Sequence, residues 1–206
     1  MTTSLPSSTR DRRRIRTRRE LAASAVRLFE ERGFAETTVE DIAEAADYSA
    51  STFFRMFSRK EDAAFHDMPD RLVALQADLD AAGDAPLWPT LRAALMAHAE
   101  TWEEDDSDFA AARVRLFHLE PALASRYLEY CQDYELWIAE LVTRRVGAEP
   151  LAAQLAGICI AGALRSAFRV QASSASAKTR LSVVDYLEDA FRLLEAGPLG
   201  ALSGRR

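Results

Sequence analysis

The segment TTVEDIAEAADYSASTFFRMFSRK, Thr37 to Lys60, decides the fold because it holds two short helical patterns joined by a tight turn. Each pattern places its apolar residues on one helical face, namely Val39, Ile42, Ala43 and Ala46, then Phe53, Met56 and Phe57. Because only about three residues separate the patterns, the segment predicts a helix-turn-helix. The second helix keeps small and polar residues on its other face, which fits a DNA major groove.

Hydroxyl residues in this segment predict where its helices begin. Thr37 with Glu40 fits a capping box at the start of the first helix. Ser58 with Glu61 fits a second box, which would begin a further helix. Ahead of both, Gly33 is placed to end an earlier amphipathic helix.

The rest of the chain also carries helical patterns, and no strand pattern is found. The predicted helices cover residues 60–82, divided near Pro69, then 88–104, 108–118, 121–146, 151–172 and 179–195. We therefore predict an all-α protein whose N-terminal helix-turn-helix module of three helices is joined to a larger C-terminal helical bundle. The predicted parts are a disordered basic and polar tail at 1–10, the DNA-binding module at 11–60 and an effector-binding and dimerisation domain at 61–206.

Charge is unevenly distributed along the chain. Residues 1–60 hold 12 Lys and Arg against 9 Asp and Glu, a balance of +3, whereas residues 61–206 hold 14 against 23, a balance of −9. Seven of the first twelve basic residues are arginines between Arg10 and Arg19. A basic arm on an acidic body indicates a polyanion bound at one end. A solvated tail is the alternative interpretation.

The stretch from about Arg16 to Asp62 resembles the DNA-binding motif of the TetR family of bacterial transcriptional regulators. The family pattern is T-(V/I)-x-x-I-A-x-x-A-G-V-S-x-x-T-(L/F)-Y-x-Y-F-x-(S/N)-K-E-x-L. The departures of this chain from the pattern include Asp47 in place of the turn glycine, Phe54 in place of the usual phosphate-contacting Tyr, and Met56 in place of the second aromatic residue. Asp tolerates the positive φ that such a turn requires.

The resemblance implies which residues contact an operator. Phosphate contacts are expected from Thr37, Thr38, Thr52 and Lys60, and groove-facing positions are Ser49, Ala50, Ser51 and Arg55. Phe54 keeps the place of the family's Tyr without its hydroxyl. Arg55 is the candidate for reading a guanine, with a plain phosphate contact as the alternative. Arg14 and Arg16 belong to a basic segment that would enter a minor groove or neutralise phosphates.

Specific binding by so small a module usually needs two copies, so we expect a palindromic operator and a homodimer. The last two long helices are the candidates for the dimer contact, because one is rich in small residues and the other is amphipathic. In the TetR family these helices commonly form a four-helix interface. The alternative is that both complete the core of a monomer.

Aromatic residues are frequent in the middle helices and predict a cavity of mixed character for a mostly apolar small molecule. The residues proposed to line it are His98, Trp102, Arg113, Phe117, Tyr127, Tyr130, Cys131 and Tyr134. The stretch RLFHLEPALASRYLEYCQDYE, Arg115 to Glu135, resembles the mycofactocin-regulator subgroup of the TetR family, for which acyl-CoA-like ligands are suspected. The combined prediction is a repressor that its effector releases from DNA.

Two alternatives to this function are a helical-bundle hydrolase and an architectural DNA-binding protein without effector. The three histidines are scattered and no metal-binding or catalytic motif occurs, so no enzyme activity, metal or cofactor is expected. Two cysteines inside apolar helical patterns favour the cytoplasm. The apolar run Leu151–Leu164 is too short to span a bilayer, which takes roughly 20 residues.

Overall fold

The computed structural model describes residues 8–104, 107–173 and 182–197. Its helices are α1 (Thr9–Arg32), α2 (Val39–Ala45), α3 (Ala50–Met56), a 3₁₀ helix (Glu61–Phe65), α4 (Met68–Ala81), α5 (Leu87–Glu104), α6 (Ser107–Leu119), α7 (Pro121–Val146), α8 (Pro150–Ser173) and α9 (Val183–Ala196). No strand occurs within the described ranges. The predicted all-α fold with an N-terminal helix-turn-helix is confirmed.

The four helices from α5 to α8 begin and end within one residue of their predicted bounds. The divided fourth helix is also observed, because a 3₁₀ helix ends at Phe65 and α4 begins at Met68, one residue before Pro69. The predicted start of the last helix at residue 179 lies outside the described residues. Helix α9 begins at Val183, because Ser182 has an extended conformation and caps it together with Asp185.

The first helix overlaps the segment 1–10 that was predicted to be a disordered tail. Helix α1 begins at Thr9, so residues 9 and 10 are helical, and residues 1–7 lie outside the described part of the chain. The Ser8 hydroxyl oxygen accepts the backbone N–H of Asp11 at 3.1 Å and caps the helix. The basic segment Arg10–Arg19 is therefore part of a regular helix.

The capping residue of α2 corrects the sequence prediction by one position. Thr38 is the N-cap, its hydroxyl accepting the backbone N–H of Asp41 at 3.1 Å, and the Asp41 carboxylate accepts the Thr38 N–H at 2.8 Å. Thr37 cannot serve because its buried hydroxyl donates to the Gly33 carbonyl at 2.8 Å. The hydrogen bond from Thr37 to Gly33 therefore prevents the capping box predicted from the sequence, and Glu40 has no part in the cap.

The second predicted box, Ser58 with Glu61, does not form either. The 3₁₀ helix that follows has no side-chain cap. Instead, the Asp62 carboxylate accepts the backbone N–H of Arg59 at 3.0 Å, one residue later than the expected pairing.

The first of two compact units contains residues 1–70 and 108–127. Helix α1 packs on α2 and on the 3₁₀ helix, and α2 packs on α3. The unit extends past the predicted boundary at residues 60 and 61 because arginines of α6 and α7 bind acidic side chains of the N-terminal segment. The ion pairs are Arg113–Asp67, Arg115–Glu30 and Arg126–Asp62. The rings of Phe65 and Phe117 also stack, with centroids 4.3 Å apart.

The second compact unit contains residues 71–107 and 128–206. Its core is built from buried residues of five helices: Leu75, Leu79, Leu91, Leu95, Ala99, Ile138, Leu141, Ile160, Ala163, Ala167, Val183, Leu187 and Phe191. Helix α8 packs on α9, and α5 also packs on α9. Gly157 of α8 lies against the backbone of α7 at Glu135.

Helix α8, with 24 residues, is long and apolar enough to cross a membrane by length and composition alone. The run Leu151–Leu164 was predicted to be too short to span a bilayer, but it is part of this longer apolar helix. Core helices of soluble proteins share this composition. Helix α8 packs on α9 and buries residues such as Gly157 and Ile160 among the described helices.

Candidate nucleic-acid interface

Helix α3 presents a polar face on an aromatic base. Phe53 and Phe57 are buried, with ring centroids 5.2 Å apart, and they fix the helix to its unit. Ser49 caps the helix by accepting the backbone N–H of Thr52 at 3.2 Å. The remaining side chains expected to face DNA lie at the surface: Ser49, Ser51, Phe54 and Arg55 are exposed, and Ala50 and Thr52 are half-buried.

Phe54 is the large apolar residue of this face. It is 58% exposed although aromatic side chains are usually buried in a folded protein. Its ring meets the buried Phe53 edge to face, at a centroid distance of 5.8 Å. The contact orients the Phe54 ring outward beside Arg55.

The turn between α2 and α3 is held by a network that the sequence analysis did not identify. Asp47 adopts φ 58°, in the left-handed region where the family pattern has glycine. The hydroxyl of the next residue, Tyr48, donates to the Glu20 carboxylate at 2.6 Å and accepts from the Thr17 hydroxyl at 3.3 Å. The hydrogen bond from Tyr48, together with that from Arg16, holds the pKa of Glu20 below its ordinary value.

Of the four residues predicted to contact phosphates, Thr37 and Lys60 bond to the protein itself. The Thr37 hydroxyl is buried, as described above. The Lys60 ammonium donates to the backbone carbonyls of Phe34 and Thr37, at 2.5 and 2.7 Å, and lies 4.0 Å from the centre of the Phe34 ring. Lys60 therefore holds the α1–α2 turn, and a phosphate contact would require it to leave these partners.

Thr38 is exposed, but its hydroxyl donates to the Asp41 carboxylate at 2.6 Å. The side-chain and backbone hydrogen bonds from Thr38 lower the pKa of Asp41. This carboxylate repels a phosphate near the start of α2. Of the four residues predicted to contact phosphates, Thr52 is therefore the one that is neither held by backbone carbonyls nor placed beside a carboxylate.

The two arginines predicted from α1 differ in their surroundings. Arg16 donates to the Glu20 carboxylate at 2.8 Å, within an exposed ion pair. Arg14 is exposed and forms no ion pair with a described residue. The sequence analysis treated the two arginines alike, although Arg16 and Glu20 stand four residues apart, a spacing at which helical side chains pair.

The residues proposed to bind an effector divide between the two compact units. Those in the first unit are Arg113, Phe117 and Tyr127, and those in the second are His98, Trp102, Tyr130, Cys131 and Tyr134. In the first unit the three pack together: Phe117 and Tyr127 stack at 5.3 Å, and the Arg113 guanidinium lies 5.6 Å from the Phe117 ring. Arg113 is 2% exposed and donates to the Ala64 carbonyl at 2.7 Å and to Asp67.

His66 lies beside this cluster and was not singled out from the sequence. Burial lowers its pKa to about 3, an effect that the neighbouring Asp67 opposes only in part. Its Nδ1 has no hydrogen-bond partner among the described residues. His66 is therefore neutral at neutral pH, and its proton does not respond to ordinary changes of cellular pH.

In the second unit, an aromatic side chain and a cation are brought together. Trp102 is buried and meets Phe168 edge to face at 5.5 Å. The guanidinium of Arg71, which the sequence analysis missed, lies 5.0 Å from the Trp102 ring and donates to the His98 carbonyl at 3.3 Å. The His98 ring nitrogen lies 2.9 Å from the carboxylate of Asp78. Of the other three residues, Cys131 is buried and Tyr130 and Tyr134 are half-buried.

The described residues contain no group of three or more His, Cys, Asp or Glu that could hold a metal ion.

Comparisons with known proteins agree with this geometry. Residues 21–63 match the family described as bacterial regulatory proteins, tetR family, and residues 85–198 match the MftR C-terminal domain. TcmR, an HTH-type transcriptional regulator of Streptomyces glaucescens, is 32% identical over 146 residues, which are 68% of this chain and 65% of TcmR. The match thus spans slightly less than two thirds of TcmR. MftR of Mycobacterium tuberculosis, named for mycofactocin biosynthesis, is 32% identical over 139 residues, 67% of this chain and 70% of MftR.

A solved structure extends the similarity over both units. The chain resembles FadR of Thermus thermophilus, a transcriptional repressor solved in complex with lauroyl-CoA, at a TM-score of 0.58 and 25% identity. The superposition covers 86% of this chain and 93% of FadR.

Proposed function

Because the chain belongs to the TetR family of bacterial transcriptional regulators, we propose that it is a cytoplasmic repressor that binds a palindromic operator as a homodimer. A mostly apolar effector, acyl-CoA-like in chemistry, releases it from the DNA. The observation that carries this proposal is the exposed face of α3, with Ser51, Phe54 and Arg55 on a base of buried Phe53 and Phe57.

Helix α3 is suited to a major groove by size and chemistry. The groove is about 12 Å wide and admits an α-helix. The exposed Arg55 supplies the side chain that most often reads guanine, through its O6 and N7 acceptors. Thr52 and the Ser49 cap supply hydroxyls for phosphate contacts at the helix start.

The dimer that we propose uses the exposed apolar faces of α8 and α9. Leu151, Leu155 and Ile158 of α8 lie on one face at four- and three-residue spacing, and they are 73%, 52% and 48% exposed. On α9, Leu193 is 50% exposed. Burial of such residues against a second copy stabilises a dimer by removing apolar surface from water. Two α3 helices spaced about 34–36 Å apart would then read adjacent half-sites.

The effector proposal rests on the second unit and on the lauroyl-CoA complex of the similar FadR. Trp102 and Phe168 offer an aromatic surface, and Arg71 places a cation beside it. A long apolar chain with an anionic end matches that combination. Arg113, Phe117 and Tyr127 are not included, because their packing within the first unit accounts for them.

The double variant Thr52→Ala/Arg55→Ala tests the reading helix. We expect it to weaken binding to the selected operator on the order of 100-fold, because a base contact and a phosphate contact are lost together. The operator is obtained by selection from a random duplex library, and binding is measured by fluorescence anisotropy. Arg27→Ala is the control, since it removes one charge from α1, where Arg27 pairs with Glu31.

Sedimentation should show the same oligomeric state for the wild-type protein and the double variant. Undiminished operator binding by the double variant would exclude α3 as the reading helix. Selection of no preferred sequence by the wild-type protein would instead favour the architectural alternative.

Lauroyl-CoA tests the effector class. Added to the protein–operator complex, it should weaken DNA binding by about 5- to 150-fold, the range of an ordinary coupling free energy. Coenzyme A without its acyl chain is the matched control and should have little effect, since the aromatic surface binds the apolar part. Equal affinity of lauroyl-CoA for free and operator-bound protein would contradict release by this class of ligand.

A further inference from the structure

The first two turns of α1 form a basic helical arm. Within Thr9–Arg16 every described residue except the half-buried Asp11 is exposed, and five of the eight residues are arginines. Ser8 caps the arm, so its helical conformation begins well ahead of the first buried residue, Thr17. Such a charge density on an exposed helix fits a polyanion.

The helical conformation decides how this arm meets DNA. A helix with its side chains is about 10–12 Å across, whereas the minor groove of B-DNA is about 6 Å wide. The arm therefore cannot thread into a minor groove, which was one of two possibilities left by the sequence. Contact with backbone phosphates is the possibility that remains.

The arginines of the arm occupy two faces of α1. One stripe along α1 begins at the buried Leu21 and continues toward the helix start through three arginines at four-residue spacing, Arg18, Arg14 and Arg10. Arg18 lies with its guanidinium 5.3 Å from the ring of Phe57, the C-cap of α3. The stripe therefore runs along the side of α1 that faces α3.

The other face carries different contacts. Arg12 donates to the Thr9 hydroxyl at 3.3 Å, and Arg16 is paired with Glu20. Arg10 and Arg14 have no ion pair with any described residue, so they can bind a phosphate without first breaking an ion pair. Because an α-helix rises 1.5 Å per residue, Arg14 and Arg10 lie about 6 and 12 Å beyond Arg18 along the axis.

We propose that Arg10 and Arg14 bind backbone phosphates of the duplex that flanks the half-site read by α3. This inference rests on the proposed function, since it takes α3 as the element that positions the arm. The contact is independent of base sequence. It extends the stretch of duplex that the protein covers beyond the bases that α3 reaches. Arg12 and Arg13 lie away from the α3-facing stripe and have no part in it.

The charge-matched variants Arg10→Gln/Arg14→Gln and Arg12→Gln/Arg13→Gln separate the two faces. Gln has nearly the helix propensity of Arg, so both variants should keep the arm helical, which circular dichroism checks. Binding is measured against salt concentration, on the selected operator with about 10 additional base pairs at each end. Loss of two phosphate contacts should reduce the slope of log K against log salt by about 1.8 per bound protomer.

We expect this reduction for Arg10→Gln/Arg14→Gln alone, and we expect it to disappear on an operator trimmed of its flanks. Equal reductions for the two variants would overturn the proposal in favour of a diffuse positive field, and no reduction for either would overturn it as well. If Thr52→Ala/Arg55→Ala abolishes specific binding while the slope stays unchanged in Arg10→Gln/Arg14→Gln, only the arm is misassigned. Retained operator binding by Thr52→Ala/Arg55→Ala would instead show that α3 does not read the half-site, which is the premise of this proposal.

Discussion

Replacing Gly157 with Ala should lower the free energy of unfolding by about 3 kcal/mol, the upper part of the range for overpacked cores. A Cβ built on Gly157 would overlap the backbone carbonyl oxygen of Glu135 and lie 3.2 Å from its carbonyl carbon and 3.4 Å from the Ala139 nitrogen. These atoms belong to the α7 backbone, which cannot move aside as a side chain would. Helices α7 and α8 would have to separate along a core that includes Ile138 and Ile160.

Gly162→Ala is the matched control, because it makes the same substitution in the same helix. A Cβ at Gly162 meets nothing within 4 Å, so the better helix propensity of Ala should raise stability by up to about 1 kcal/mol. Urea unfolding of both variants at one protein concentration measures the difference, since dimerisation makes stability depend on concentration. Equal stability of the Gly157→Ala variant and the wild-type protein would contradict the close crossing of the two helices.

The faces of the helices could be predicted from the sequence because they depend on local periodicity. The buried Phe53 and Phe57, and the exposed Arg55 between them, follow directly from three- and four-residue spacing. The bounds of helices α5 to α8 could also be predicted from the sequence, since Pro121 and Pro150 mark the starts of two helices and Gly147 marks a turn.

Side-chain roles that depend on tertiary contacts could not be predicted. Thr37 and Thr38 are both good capping residues, and only the position of the Gly33 carbonyl decides which of them caps α2. Lys60 has the family's expected residue type, yet its ammonium binds two carbonyls of the α1–α2 turn. Tyr48 shows no sequence signal for its bond to Glu20, because 28 residues separate them.

The same reasoning applies to the proposed effector residues. Aromatic side chains at helical spacing indicate that a surface is apolar, but a stacked core and a ligand cavity have the same pattern. The stacking of Phe117 on Phe65 and Tyr127 assigns this part of the set to the core of the first unit. The contact of Arg71 with Trp102 could not be predicted either, since 31 positions separate the two residues.

Replacing Arg113 with Met should cost about 3–5 kcal/mol of stability, the loss expected when one partner of a buried ion pair is removed. Arg113 is buried between Phe109 and Phe117, and it links α6 to the segment Ala64–Asp67 by bonds to a backbone carbonyl and a carboxylate. Met fills much of the same apolar space, so the loss would come mainly from the unpaired groups rather than from a cavity.

The double variant Arg113→Met/Asp67→Asn tests this explanation, because it removes the stranded charge and leaves the apolar packing of Met unchanged. The double variant should recover about half of the stability lost in Arg113→Met. The unfolding free energies of the wild-type protein, Arg113→Met, Asp67→Asn and the double variant together give the coupling energy of the pair. Arg115→Met provides the comparison at an exposed pair, where the loss should stay within about 1 kcal/mol. Similar losses at the two sites would mean that burial of Arg113 does not set the strength of its ion pair, and α6 would then be held to the first unit mainly by its aromatic contacts.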